Sequence, residues 1–169
     1  FYSLDAAFSW HPGDMNNVRS GSCNSSIQIQ YTYSGIAAHA GGTPHLGRSA
    51  LDAVELMNIG VQFLREHMGD SDRVHYAITD AGGLSPNVVQ AKAKVLYMIR
   101  SDSVKKALAL VARVDKIAEA AAMMTETTVA REFIDGTADL VPNNTLEHLL
   151  YEKFCEVGVP QYTEEEWNY

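Results

Sequence analysis

The chain has 169 residues, 46% of them apolar and 20% charged, enough for one sizeable core and part of a second. Its 21 acidic against 13 basic side chains give a net charge of -8, the wrong sign for a nucleic-acid surface. No apolar run approaches the roughly 20 residues that cross a bilayer, and the opening FYSLDAAFSW lacks the basic start of a secretory leader. Cys23 and Cys155 stand far apart with no ligand-like spacing, which disfavours a disulfide framework or zinc knuckle and points to a reducing cytoplasm.

Residues 3–10 read as a short strand that ends at the loop HPGDMNN. Within it, His11 stands after the strand and before a Pro-Gly turn, a place that suits a metal ligand and a solvated loop residue alike. In SIQIQYTYSG, Ile27, Ile29, Tyr31 and Tyr33 alternate with polar residues, the pattern of a half-buried strand. The stretch GIAAHAGGTPH then sets His39 among alanines and glycines, which offer an imidazole little packing but let backbone and ligand approach it closely. An imidazole there can donate to a carboxylate or polarise a carbonyl, or simply stand in solvent at a helix entrance.

Thr43 or Ser49 can cap a helix running to about Met68, with Leu51, Val54, Ile59 and Val61 as its inward stripe and Leu56, Phe63 and Leu64 nearby. GDSDR breaks it, and VHYAITD alternates again. The loop AGGLSPNVVQ carries Asn87 into a strand, AKVLYMIR, apolar on both faces and therefore central. Asn87 can cap backbone, occupy a turn or grip a ligand. Arg100 at the strand's end can take a carboxylate bidentately or cap the next helix. That helix is capped by Ser101 or Asp102 and repeats Val104, Leu108, Val111, Ile117 (or Val114), Ala118 and Ala121 up to Met124. A last strand, TTVAREFID, follows.

The order from residue 22 to about 136 is β-α-β-β-α-β, the α+β, ferredoxin-like two-layer sandwich: a four-stranded antiparallel sheet with two helices on one face. After Pro142 a fresh helix begins, with Leu146, Leu149, Leu150 and Phe154 on one face, an Asn cap before it and Gly158 after it. Three parts follow: 1–20 and 141–169 as pieces of one flanking α/β domain, and 21–140 as a unit inserted between them. The chain reads as a segment of a larger protein.

GIAAHAGGTPHLGRSALDAVEL followed by NVVQAKAKVLYMIR resembles the lid, or dimerisation, domain of the aminoacylase/carboxypeptidase family of dinuclear zinc hydrolases. Further separated motifs, GRSALDAVELMN, FLREHM, VHYAITDAGGLSPNVVQ and MTETTV, fall in the right order, so the resemblance spans essentially the whole chain. It implies a lid inserted into a zinc-binding catalytic domain that cleaves the amide bond of N-acyl amino acids such as p-aminobenzoyl-glutamate. It implies that His11 is a zinc ligand of the complete enzyme, which would carry two zinc ions, or another divalent metal such as manganese. It implies that His39 reaches across a homodimer to the partner's reacting carbonyl, and that Asn87 and Arg100 bind the substrate's carboxylate. A second, related subunit type stays open, and neither nucleic acid nor membrane is an expected partner. Gln90 departs from the family's frequent Pro, and the remaining ligands and the Glu base are not among these residues. The segment alone is therefore expected to bind no metal and hydrolyse nothing. The rival reading is a non-catalytic ferredoxin-like module that dimerises or binds a small molecule.

Overall fold

The computed structural model describes residues 2–169. It divides the chain into a compact unit, Ser22–Leu140, and a second unit formed by the two flanks, up to Gly21 and from Val141. The compact unit contains β1 (Ser25–Ser34), β2 (Ala38–His39), α1 (Ala50–Arg65), β3 (Arg73–Asp80), β4 (Val88–Val89), β5 (Lys92–Ser101), α2 (Val104–Thr125) and β6 (Thr128–Thr137). Four strands make one antiparallel sheet in the order β3-β5-β1-β6, and β2 and β4 make a separate two-stranded ladder. This is the expected ferredoxin-like sandwich.

The alternation in β1 does what period-2 patterning dictates. Ile27, Ile29, Tyr31 and Tyr33 are buried, and their neighbours across the ladder, Ile99, Tyr97, Val95 and Ala93, are buried on the same face. Three tyrosines inside a core need partners for their hydroxyls. Tyr31 donates to Asp115 at 2.6 Å, Tyr33 to the Ala118 carbonyl at 3.0 Å, and Tyr97 to Asn58 at 2.6 Å. Each bond ties a strand to a helix. Burial pushes all three phenols well above the usual tyrosine range, and the Asp115 carboxylate adds to the effect on Tyr31.

Both helices turn a face of small residues to the sheet. In α1 the buried positions are Ala50, Ala53, Val54, Met57, Asn58, Val61 and Leu64. In α2 they are Ala107, Leu110, Val111, Val114, Ala118, Ala121 and Ala122. The helices also press together: a Cβ on Gly60 would stand 2.7 Å from the Ile117 side chain, so glycine is required for this approach. Ile59, Val104 and Leu108, expected on the inward stripes, are exposed, as is Phe63 beside the first of them. The alanines let the helices lie close to the sheet, and the bulkier side chains are rotated outward.

The caps differ in detail from expectation. Ser49 caps α1, accepting the Asp52 N–H at 3.0 Å, and Thr43 precedes only the short 3-10 turn Pro44–Leu46. Ser103, not Ser101 or Asp102, is the α2 N-cap and makes no side-chain cap bond. The Val104 N–H is instead taken by Asp139 at 2.9 Å, while Ser101 bonds Asp72 and Asp102 pairs with Lys106.

In the flanking unit, residues 3–10 form no strand: they are exposed and no neighbour takes their N–H and C=O groups in a ladder. α3 (Asn144–Val157) starts at the Asn143 cap and ends at Gly158, as its sequence indicates, and none of its residues is buried. α4 (Glu164–Trp167) carries a capping box between Thr163 and Glu166.

Candidate functional site

Between β1 and α1 the chain makes a loop with a pinched neck. Ile36 and Arg48 exchange backbone hydrogen bonds at 2.9 Å in both directions. Gly35 passes so close to the Arg48 carbonyl that a Cβ would lie 1.9 Å from its oxygen. The loop's far side is held by the β2–β4 ladder, which pairs Ala38 with Val89 and His39 with Val88. Bonds from the Ala40 N–H to the Asn87 carbonyl (3.0 Å) and from the Thr43 N–H to the His39 carbonyl (2.9 Å) complete the frame.

His39 is exposed, yet its ring is fixed on two sides. The Gly42 N–H donates to Nδ1 at 2.8 Å, and Nε2 stands 3.1 Å from the Asn87 side-chain amide. A Cβ on Gly42 would press on the ring at 3.3 Å, whereas one on Gly41 would make ordinary contact at 3.5 Å, so Gly42 is the residue that admits the backbone against the imidazole. The glycine-rich spacing around His39 thus signals a wrapped ring, with a donor direction set by backbone.

Arg100 is elsewhere. It lies eight residues beyond Lys92 along β5, about 26 Å at 3.3 Å per residue, at the opposite end of the sheet from the β2–β4 ladder. Among the described residues its guanidinium hydrogen-bonds to the Met98 sulfur alone, at 3.0 and 3.2 Å, a weak acceptor. Arg73 of β3 stands directly across the ladder from it. Like charges so opposed repel, and among the described residues neither arginine makes an ion pair with a carboxylate. Arg73 is the residue that reading the sequence misses, because the cross-strand register that brings it to Arg100 is not a local signal. The structure therefore brings His39 and Asn87 together and sets Arg100 apart from them.

His11 is exposed in the flanking unit, its Nδ1 donating to the neighbouring Pro12 carbonyl at 2.8 Å. Among the described residues no three His, Cys, Asp or Glu side chains gather around one point. A catalytic metal usually takes three protein ligands, so the described residues by themselves do not make such a centre. The groove between α1 and α2, lined by Gly60, Phe63, His67 and Ile117, holds no paired catalytic groups.

The sandwich with its histidine-bearing loop is that of a lid domain, and the chain belongs to the peptidase dimerisation domain family, whose model matches residues 22–125. Over 166 residues it is 48% identical to a subunit of the p-aminobenzoyl-glutamate hydrolase of Escherichia coli (strain K12), covering 98% of this chain and 34% of that protein. It is 30% identical over 166 residues to the Xaa-Arg dipeptidase of Mus musculus, covering 98% of this chain and 38% of that one. Among solved structures, an aminobenzoyl-glutamate utilization protein from Klebsiella pneumoniae superposes with a TM-score of 0.65 at 25% identity, over 77% of this chain and 33% of that one. The chain thus spans little more than a third of the length of the curated relatives it matches.

Proposed function

We propose that this chain is the lid and dimerisation segment of a metal-dependent amidohydrolase that cleaves N-acyl amino acids of the p-aminobenzoyl-glutamate type. It works as a homodimer in the cytoplasm, where its two free cysteines suit a reducing medium. The metal, taken to be a zinc pair with His11 as one ligand, would activate the attacking water; its other ligands and the general base come from outside these 169 residues. His39 supplies a hydrogen bond to the carbonyl oxygen as charge develops on it, and Arg100 holds the amino acid's carboxylate. The E. coli relative is named as one subunit of its hydrolase, which supports a second subunit type as a further partner.

One observation carries this reading: Arg100 stands about 26 Å along β5 from Lys92, the end of the strand next to the β2–β4 ladder that holds His39, so a small substrate cannot touch both in one chain. A two-fold axis resolves the conflict. Pairing β3 with the partner's β3 continues the sheet and inverts the partner, bringing the partner subunit's Arg100 to the end where His39 stands. The two β5 strands are then three strand spacings apart, about 14 Å, against five spacings, about 24 Å, for pairing through β6. Tyr76 and Ile78 on β3, both partly exposed, supply apolar surface for that junction.

Subunit complementation tests it. His39→Ala and Arg100→Gln variants of the complete enzyme, each strongly impaired when assayed well below the wild-type KM, are mixed under conditions that exchange subunits. If each site draws His39 from one subunit and Arg100 from the other, half of the dimers regain one of two sites, and about a quarter of wild-type activity returns. No recovery despite proven exchange refutes the shared site.

A further inference from the structure

The hydrogen bonds around His39 fix more than its position. A backbone N–H can only donate, so the Nδ1 that receives the Gly42 N–H at 2.8 Å must offer a lone pair. A neutral imidazole carries one proton, which is therefore on Nε2. An Nε2–H facing the Asn87 side-chain amide at 3.1 Å needs an acceptor, and only the amide oxygen is one. The structure sets Asn87 Nδ2, itself a donor, at that 3.1 Å, and two donors cannot bond each other, so the network assigns the amide flipped, with Oδ1 toward the ring and the NH2 group away. The backbone holds this pairing together, because the Asn87 carbonyl takes the Ala40 N–H and Val88 pairs with His39 in the ladder.

We propose that Asn87 is a positioning residue that presents His39 as a fixed Nε2–H donor, the Gly42 amide having closed off Nδ1. The amide oxygen of Asn87 occupies the place at Nε2 that a substrate's amide oxygen takes during turnover. The donor is thereby held ready in the empty site, with no reorientation needed when charge develops. This assigns Asn87 a role different from anchoring a carboxylate, for which its NH2 group would have to be the working end. The catalytic consequence rests on the reading of His39 given above. The tautomer does not, since it is a property of this chain alone.

Two measurements test the proposal separately. Long-range proton–nitrogen correlation spectra of the 15N-labelled 169-residue chain are expected to show His39 as a single species, protonated at Nε2 and bare at Nδ1. They should also show an Nε2–H proton slow enough in exchange to be seen, which is lost in Asn87→Ala and kept in Asn87→Asp. A mixture of tautomers, a proton on Nδ1, or an Nε2–H unaffected by Asn87→Ala overturns the assignment.

In the complete enzyme, Asn87→Ala is expected to lower kcat about tenfold, the worth of one positioned hydrogen bond, with KM changed less than about twofold. Asn87→Asp, which keeps the acceptor oxygen, is expected to recover most of that kcat. If Asn87 instead grips the substrate carboxylate, Asp repels it, and Asn87→Asp raises KM more than Asn87→Ala does. That outcome overturns the positioning role while leaving the amidohydrolase reading intact. Spectra as expected from a lid whose complete protein hydrolyses no N-acyl amino acid would remove that reading and leave the tautomer standing.

Discussion

The two ends of the central sheet are built on opposite plans. At one, His39 is held by backbone on a loop of small residues, and its Nδ1 and Nε2 each have a hydrogen-bond partner. At the other, Arg100 and Arg73 face each other across a ladder, and among the described residues neither pairs with a carboxylate: the first rests on a thioether, and the second donates to the Asp70 and Asp72 carbonyls. A group that must meet a transition state gains from being fixed beforehand. A group that must meet a formal charge gains from lacking an internal carboxylate, because its charge is then left uncompensated. On the proposed reading, the histidine end orients and the arginine end captures.

Substitutions should separate the two. His39→Ala in the complete enzyme is expected to lower kcat by about 10²–10³-fold with little change in KM, the cost of removing a donor to a developing oxyanion. Steady-state kinetics showing a pure KM effect would erase the distinction between the ends. Arg100→Gln is expected to raise KM about 10- to 100-fold, as for the loss of a charge-assisted bond to a carboxylate. Arg73→Gln should move KM in the same direction by less, and an amide substrate lacking the carboxylate should be indifferent to both.

Tyr97 lies in the middle of β5, bonded to the buried Asn58, and belongs to neither end. Tyr97→Phe leaves Asn58 without its donor and is expected to cost about 1–3 kcal/mol in denaturant unfolding, with kcat and KM of the folded enzyme unchanged. A selective kinetic effect would mean that the ends are coupled through this strand.

The smallest effect concerns Asp102 and Lys106, just beyond the arginine end. The Lys106 hydrogen bond holds the Asp102 carboxyl below its ordinary value, so its contribution is present above that value and fades as pH falls through the lowered one. Lys106 is raised by the same bond, so its contribution is present below the ordinary lysine value and fades as pH rises past the raised one. Both groups are exposed, and screening keeps the pair weak. Asp102→Asn is expected to flatten the acid limb of the Tm-against-pH curve slightly and to leave kinetics at both ends alone.

How much of this is legible in the sequence follows from the range of each signal. The strict alternation of Ile27 to Tyr33 and the two-sided apolar run of β5 name their strands directly, because period 2 is a local property. The helix stripes are harder. Reading by bulk puts Ile59, Val104 and Leu108 inside, whereas a helix lying close on a sheet selects Ala50, Ala53, Ala107 and Ala118. Residues 3–10 show strand-like alternation without a partner, and alternation alone makes no ladder. At the site, the setting of His39 among glycines is visible in the sequence, but the Gly42 donor is backbone and has no residue-type signature. The opposition of Arg73 and Arg100 exists only through register. For the same reason, Asn87 reads as a turn residue or a ligand grip, and its meeting with His39 requires the β2–β4 ladder.

The pinched neck at Ile36 and Arg48 has an engineering consequence. Because the chain leaves and re-enters the sandwich at one clamped point, the segment between those residues is tied to the scaffold at that neck and, farther out, by the β2–β4 ladder. The tip beyond that ladder can change in length without moving the sandwich, whereas displacing the imidazole means rewriting Asn87 and β4 as well.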